Sequence, residues 1–131
     1  MRIMIDSNVF VSAIYNQKSK PALVLQHACE NHTIVLCDHI VAECYDVIER
    51  KFPQHMIVLD KLLASLGYEL VAAPRAGLTM ADPKDAPILN AAILADVDIV
   101  VSGDNHFLSL DMERPRVLTP AQYLENEGLE A

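Results

Sequence analysis

The chain has no tryptophan, only four glycines in 131 residues, and ten basic side chains against eighteen acidic ones. Each shortage excludes something. With so little glycine and no low-complexity segment, and with 52% apolar residues, the chain can bury a proper core and does not read as disordered. A formal charge of −8 argues against a broad nucleic-acid surface, because phosphate contacts need Lys and Arg. It does not exclude a metal-dependent enzyme, since bound cations return positive charge locally. The three cysteines, Cys29, Cys37 and Cys44, form no CxxC pair. They read as small buried hydrophobes in a reducing compartment, without the tight His/Cys spacing of a zinc site. No apolar run approaches membrane-spanning length, and no signal-peptide pattern precedes the first strand-like segment. The expectation is a cytoplasmic protein without membrane contact, forming one domain over residues 1–131.

What is present alternates between strand and helix. Arg2 to Ile5 is a short apolar strand, followed by a helix over Ser7 to Tyr15 that Asp6 or Ser7 can cap. Asn16 to Lys20 is a polar loop, and Pro21 suits the first turn of a second helix reaching about Asn31. Thr33 to Cys37 is a second strand. Asp38 is the expected N-cap of a third helix, whose apolar stripe is Ile40, Val41, Cys44, Val47 and Ile48. A fourth helix spans about Gln54 to Leu66 and stops at Gly67. Tyr68 to Ala72 is a third strand, and Pro74 to Ala81 is a loop. Asp85 and Pro87 open a fifth helix. Asp98 to Val101 is a fourth strand. Arg116 to Leu118 is a last strand, leading into a helix from Pro120 to about Glu127. The strands carry continuous apolar runs, as in a parallel sheet covered on both faces.

In such sheets ligands bind beyond the carboxyl ends of the strands. Asp6 ends the first strand and Asp104 lies just past the fourth. Asp85 starts the helix feeding that strand. Glu43 lies about 100° from the centre of its helix's apolar stripe, at the edge of the buried face. Each has a plainer explanation. Asp6 and Asp85 serve as helix caps, Asp104 as a turn residue in Ser-Gly-Asp-Asn, and Glu43 as a solvated helix residue. Together, carboxylates crowded at one sheet edge repel one another unless cations neutralise them, and Mg²⁺ suits such an oxygen-rich site. Lys84 and His106 flank the site in sequence and could meet substrate phosphate. For His106 the plainer reading, packing or surface exposure, is preferred. His27, His32, His39 and His55 show no ligand spacing and are read as packing or surface residues. Met56, Ile57, Val58, Leu59, Leu62, Leu63 and Leu66 cover about 260° of the fourth helix, more than one buried face needs, which suggests a subunit or partner interface.

The acids sit in four strings: Ile5-Asp6-Ser7-Asn8-Val9-Phe10, Val41-Ala42-Glu43-Cys44, Asp82-Pro83-Lys84-Asp85-Ala86-Pro87-Ile88-Leu89, and Val101-Ser102-Gly103-Asp104-Asn105-His106-Phe107-Leu108. In this order and spacing they resemble the PIN-domain family, in particular its toxin-like members related to the VapC ribonucleases. The closing Val117-Leu118-Thr119-Pro120-Ala121-Gln122-Tyr123-Leu124 resembles the family's last strand and helix. The resemblance implies a three-layer α/β/α sandwich on a central parallel sheet. It implies a Mg²⁺- or Mn²⁺-dependent ribonuclease with Asp6, Glu43, Asp85 and Asp104 as its acids. Asp6, Asp85 and Asp104 would hold metal, Asn8 and Ser102 would support them, and Asp82 is a further acid nearby whose role stays open. It also implies RNA as substrate, a small antitoxin as partner, and a homodimer.

The alternatives fare worse on the residues. A receiver-type signalling domain wants an acid ending the third strand, and none is there. A dehalogenase-type phosphatase wants an aspartate two residues after Asp6, and Asn8 stands there. A catalytically silent PIN-type scaffold acting through protein contacts stays open, because basic residues are sparse.

Overall fold

A computed structural model of the chain describes residues 1–73, 86–104 and 112–129. Five strands form one parallel sheet: β1 (Arg2–Ile5), β2 (Thr33–Cys37), β3 (Glu69–Val71), β4 (Ile99–Val101) and β5 (Arg116–Leu118). Their order is β3-β2-β1-β4-β5. Six helices accompany them among the described residues: α1 (Ser7–Tyr15), α2 (Lys20–Asn31), α3 (Asp38–Lys51), α4 (Met56–Leu66), α5 (Ala86–Leu94) and α6 (Pro120–Asn126). A single 3₁₀ turn, Pro53–His55, joins α3 to α4.

The apolar runs explain the layering. Successive strand residues point to opposite faces. Ile3, Met4 and Ile5 of β1, Ile34 to Cys37 of β2 and Ile99 to Val101 of β4 are all buried, so both faces of the sheet centre are covered. The result is the expected α/β/α sandwich. The outer strand β3 is only three residues long, which limits the unpaired edge, although it leaves Leu70 exposed.

The chain moves from β1 outward through β2 to β3, then crosses to β4 on the other side of β1 and on to β5. The strand order therefore reverses between β1 and β4. Parallel pairing sets Ile5 beside Val101, so the residues that follow both strands emerge at the same edge. At the opposite edge Arg2 fixes the strand starts. Its backbone N–H donates to Asp98 Oδ2 at 2.8 Å, and its guanidinium pairs with Glu69 at 2.8 Å.

Two local expectations change. Cys37, not Asp38, occupies the N-cap of α3. Asp38 sits in the first turn, where its Oδ1 accepts from the backbone N–H of His39 (2.9 Å) and of Ala73 (2.8 Å), anchoring the segment after β3. In α4 the wide apolar face is mostly used internally. Leu59, Leu63 and Leu66 are buried, Met56, Val58 and Leu62 pack partly against the core, and only Ile57 is broadly exposed at 66%. Burial against the chain's own core thus supplies much of what suggested an interface. Gly67 closes the helix as expected, with a φ of 63° that favours glycine.

Candidate active site

Asp6 leaves β1 at the reversal point and becomes the N-cap of α1. The cap reading of this residue holds. Its Oδ1 accepts from the Ser7 backbone N–H at 2.7 Å, and its backbone carbonyl accepts from Val9 N–H at 3.1 Å. Its backbone N–H donates to Val101 O at 3.0 Å, tying the site to β4. Oδ2 accepts from the Ser102 hydroxyl at 2.8 Å and from Asn8 Nδ2 at 3.2 Å. A carboxylate offers about four acceptor sites. These bonds fill most of them and hold the side chain in one orientation.

Ser102 is fully buried just after β4 and organises the edge. A hydroxyl has one proton and two lone pairs. Its proton goes to Asp6, and its oxygen accepts from Asp104 N–H at 3.0 Å and from Asn8 Nδ2 at 3.4 Å. Asn8 Oδ1 in turn accepts from Gly103 N–H at 3.1 Å. Asn8 and Ser102 therefore stitch the start of α1 to the turn that carries Asp104.

Glu43 arrives from α3. The Ser7 hydroxyl lies 3.4 Å from Glu43 Oε2 and 3.5 Å from Asp6 Oδ1, within reach of either carboxylate. His39, one turn earlier, places Nε2 at 3.8 Å from Glu43 Oε2. The Glu43 side chain is 42% exposed, whereas Asp6 is 4% exposed, so one acid faces solvent and the other lies beneath it.

The electrostatics follow. Burial pushes the Asp6 carboxyl above the ordinary aspartate range; the Ser102 and Ser7 hydrogen bonds pull it down, and the charges of Glu43 and Asp104 push it up again. Cys44, buried on α3, is pushed up to about 12 by desolvation and then by Asp6 and Glu43, so it stays a thiol under the acids. Glu43 and Asp104 thus both act on Asp6 at one sheet edge. Asp85 and Asp82 lie outside the described residues, as do Lys84 and His106. Ser7 and His39 were not singled out as site residues from sequence. The signals were available: Ser7 adjoins Asp6, and His39 precedes Glu43 by four residues, one helical turn.

The PIN domain family pattern matches residues 2–106 of the sequence, most of the chain. The chain belongs to the PIN-domain family. The same fold occurs in the crystal structure of VapBC2 from Rickettsia felis bound to a DNA fragment from their promoter. That match has a TM-score of 0.68 at 18% identity, over 91% of this chain and 98% of the other. No curated protein matches the sequence significantly. The PIN assignment agrees with the five-stranded parallel sheet and with acids gathered where its strand order reverses.

Proposed function

We propose that this PIN-domain chain is a divalent-metal-dependent endoribonuclease, the toxin component of a toxin–antitoxin pair, hydrolysing RNA phosphodiester bonds with Mg²⁺ or Mn²⁺. Asp6, Asp85 and Asp104 hold the metal and Glu43 completes the catalytic acids. The observation that carries the reading is the burial of Asp6 at the strand-order reversal, with Glu43 and Asp104 both raising its pKa. Such a cluster gains from a cation, and its all-oxygen donors fit a hard dication better than a soft one. When bound, the ion supplies a water of lowered pKa and neutralises phosphate oxygens.

The chain's own residues do the rest. Ser102 and Ser7 hold Asp6 in one rotamer, and Asn8 locks the Asp104 turn against α1. Positioning of this kind keeps the acids in place without reorganisation during reaction. Glu43, open to solvent, takes the proton from the attacking water. His39 sits beside it to orient that carboxylate.

The partner is a small protein with an apolar segment. Helices α1, α2 and α4 frame a groove of about 300 Å³ whose floor includes Ile14, Leu25, Val58, Leu62 and Leu66, with Gln17, Gln26 and Glu30 also lining it. The Rickettsia felis structure is a VapBC assembly, which supports an antitoxin as occupant. Sedimentation of the chain alone tests the other occupant. A dimer abolished by Leu62→Arg assigns the groove to a second copy.

RNA cleavage in Mg²⁺ or Mn²⁺, with and without EDTA, tests the activity on wild type and Asp6→Asn. Metal-dependent cleavage lost in the variant is expected. Equal cleavage by both proteins refutes the site, and none by either favours the silent scaffold.

A further inference from the structure

The opposite edge of the sheet holds a second cluster that the nuclease reading does not use. His27 lies near the end of α2, His32 is the C-cap of that helix just before β2, and Glu127 is the C-cap of α6. One ligand atom from each lies within 4.8 Å of the other two. His32 Nε2 and Glu127 Oε1 are 2.5 Å apart, and their side chains are only 12% and 19% exposed. The hydroxyl of Tyr123, a fully buried residue, sits 2.8 Å from His27 Nδ1. The Met1 amino nitrogen is 3.2 Å from His32 Nδ1.

Chemistry favours a transition metal here. A shielded carboxylate facing two imidazoles is a nitrogen-rich donor set, which selects Zn²⁺-like ions over Mg²⁺. A tetrahedral ion about 2.0–2.1 Å from its ligands places them roughly 3.4 Å from one another. The observed spread needs only small side-chain rotations to reach that. Metal-ligating histidines commonly have their other ring nitrogen fixed by an outer polar group. The Tyr123 hydroxyl stands beside His27 Nδ1 in the position such a group takes. The Met1 ammonium beside His32 Nδ1 is a donor only and gives up that contact when Nε2 binds a metal, because Nδ1 then carries the ring proton. Against the expectation from sequence that these histidines show no ligand spacing, His27 and His32 have four residues between them, a separation that paired zinc histidines use. The carboxylate comes from 95 residues beyond His32, so no local pattern shows the set.

We propose that His27, His32 and Glu127 form a binding site for a Zn²⁺-class dication that clamps α6 to the corner between α2 and β2. The site is separate from the acidic one. His32 precedes β2 while Asp6 follows β1, placing the two roughly 15 Å apart across the strand length. Binding moves the proton shared by His32 Nε2 and Glu127 Oε1 to His32 Nδ1, so that a neutral imidazole ligates through Nε2 and an ionised carboxylate through Oε1. The ion pins the last helix to the body of the fold and keeps a water as its fourth ligand.

The test titrates Co²⁺ and Zn²⁺ into the full chain carrying Asp6→Asn and Asp104→Asn, which weaken the acidic site, and Cys29→Ser, which removes the one cysteine that, against expectation, is exposed and not buried. The expected result is one equivalent bound at micromolar concentration, with Co²⁺ visible absorption of a low-coordinate ion and no competition by millimolar Mg²⁺. His27→Gln and Glu127→Gln should each weaken binding at least tenfold. Zn²⁺ should raise the melting temperature of the parent but not of these variants, whose circular dichroism in EDTA should match the parent's. Absence of stoichiometric uptake, or uptake indifferent to both substitutions, overturns the site and leaves a hydrogen-bonded network. If a variant does not fold, imidazole ¹⁵N NMR of the parent decides. Zn²⁺ must shift ring nitrogens of both His27 and His32, and unshifted rings refute the proposal.

Discussion

Replacing Ser102 with alanine isolates the contact that holds Asp6. The hydroxyl is fully buried, donates to the Asp6 carboxylate at 2.8 Å and accepts from Asp104 N–H at 3.0 Å. A hydrogen bond to a charged group contributes about 1.5–3 kcal/mol, and the orphaned Asp104 N–H adds to the loss unless water reaches it. Ser102→Ala should therefore lower metal-free stability by about 2–3 kcal/mol near pH 7.5.

The pH dependence gives the sharper check. As a whole, Asp6 has a raised folded pKa, so the stability linked to its protonation is fully present below the ordinary aspartate range. That stability is lost as pH rises through the folded value. The Ser102 bond works in the opposite sense, because it favours the ionised form. Its contribution is largest above the folded pKa and fades as pH falls through it, towards the roughly 0.5–1.5 kcal/mol of a neutral hydrogen bond. Urea unfolding of wild type and Ser102→Ala at several pH values between about 7.5 and 4.5 measures this. A difference that is constant with pH, or below about 0.5 kcal/mol throughout, refutes the assignment. A double-mutant cycle with Asp6→Asn should show coupling of at least about 1 kcal/mol.

Asp6→Asn should leave the metal-free protein as stable as wild type or more so near pH 7.5, because it removes a desolvated charge from beside Glu43 and Asp104; a large loss of stability in urea would show that capping outweighs repulsion. Mg²⁺ at a hundred times its Kd should stabilise wild type by about 2.7 kcal/mol and Asp6→Asn far less, read by thermal melting. Leu59→Ala should cost about 2–5 kcal/mol and Ile57→Ala less than about 0.5, since one is buried and the other 66% exposed. Equal costs would contradict the packing of α4. Tyr123→Phe should cost about 0.5–1.5 kcal/mol through its bond to His27, measured in EDTA.

The sequence alone determined the elements and their class. The bounds of β2, β5 and α1 were legible because apolar runs and their punctuation are local, and unbroken runs such as Ile34 to Cys37 imply burial on both faces. Asp6, Asn8, Glu43, Ser102 and Asp104 were legible as candidates because strand ends and family strings are local too. Strand order was not. That β1 lies between β2 and β4 depends on which crossover packs best, and only that order makes Asp6 and Ser102 neighbours across 96 residues. The fold also decided where Asp38 would find its partners, because Ala73 N–H approaches only once β3 has paired with β2. It decided how much of α4 is interior, since a helix's apolar arc does not say what covers it. The meeting of His27, His32 and Glu127 depends on it too. Those side chains converge because α2 and α6 end at the same edge of the sheet, and tertiary packing alone sets that proximity.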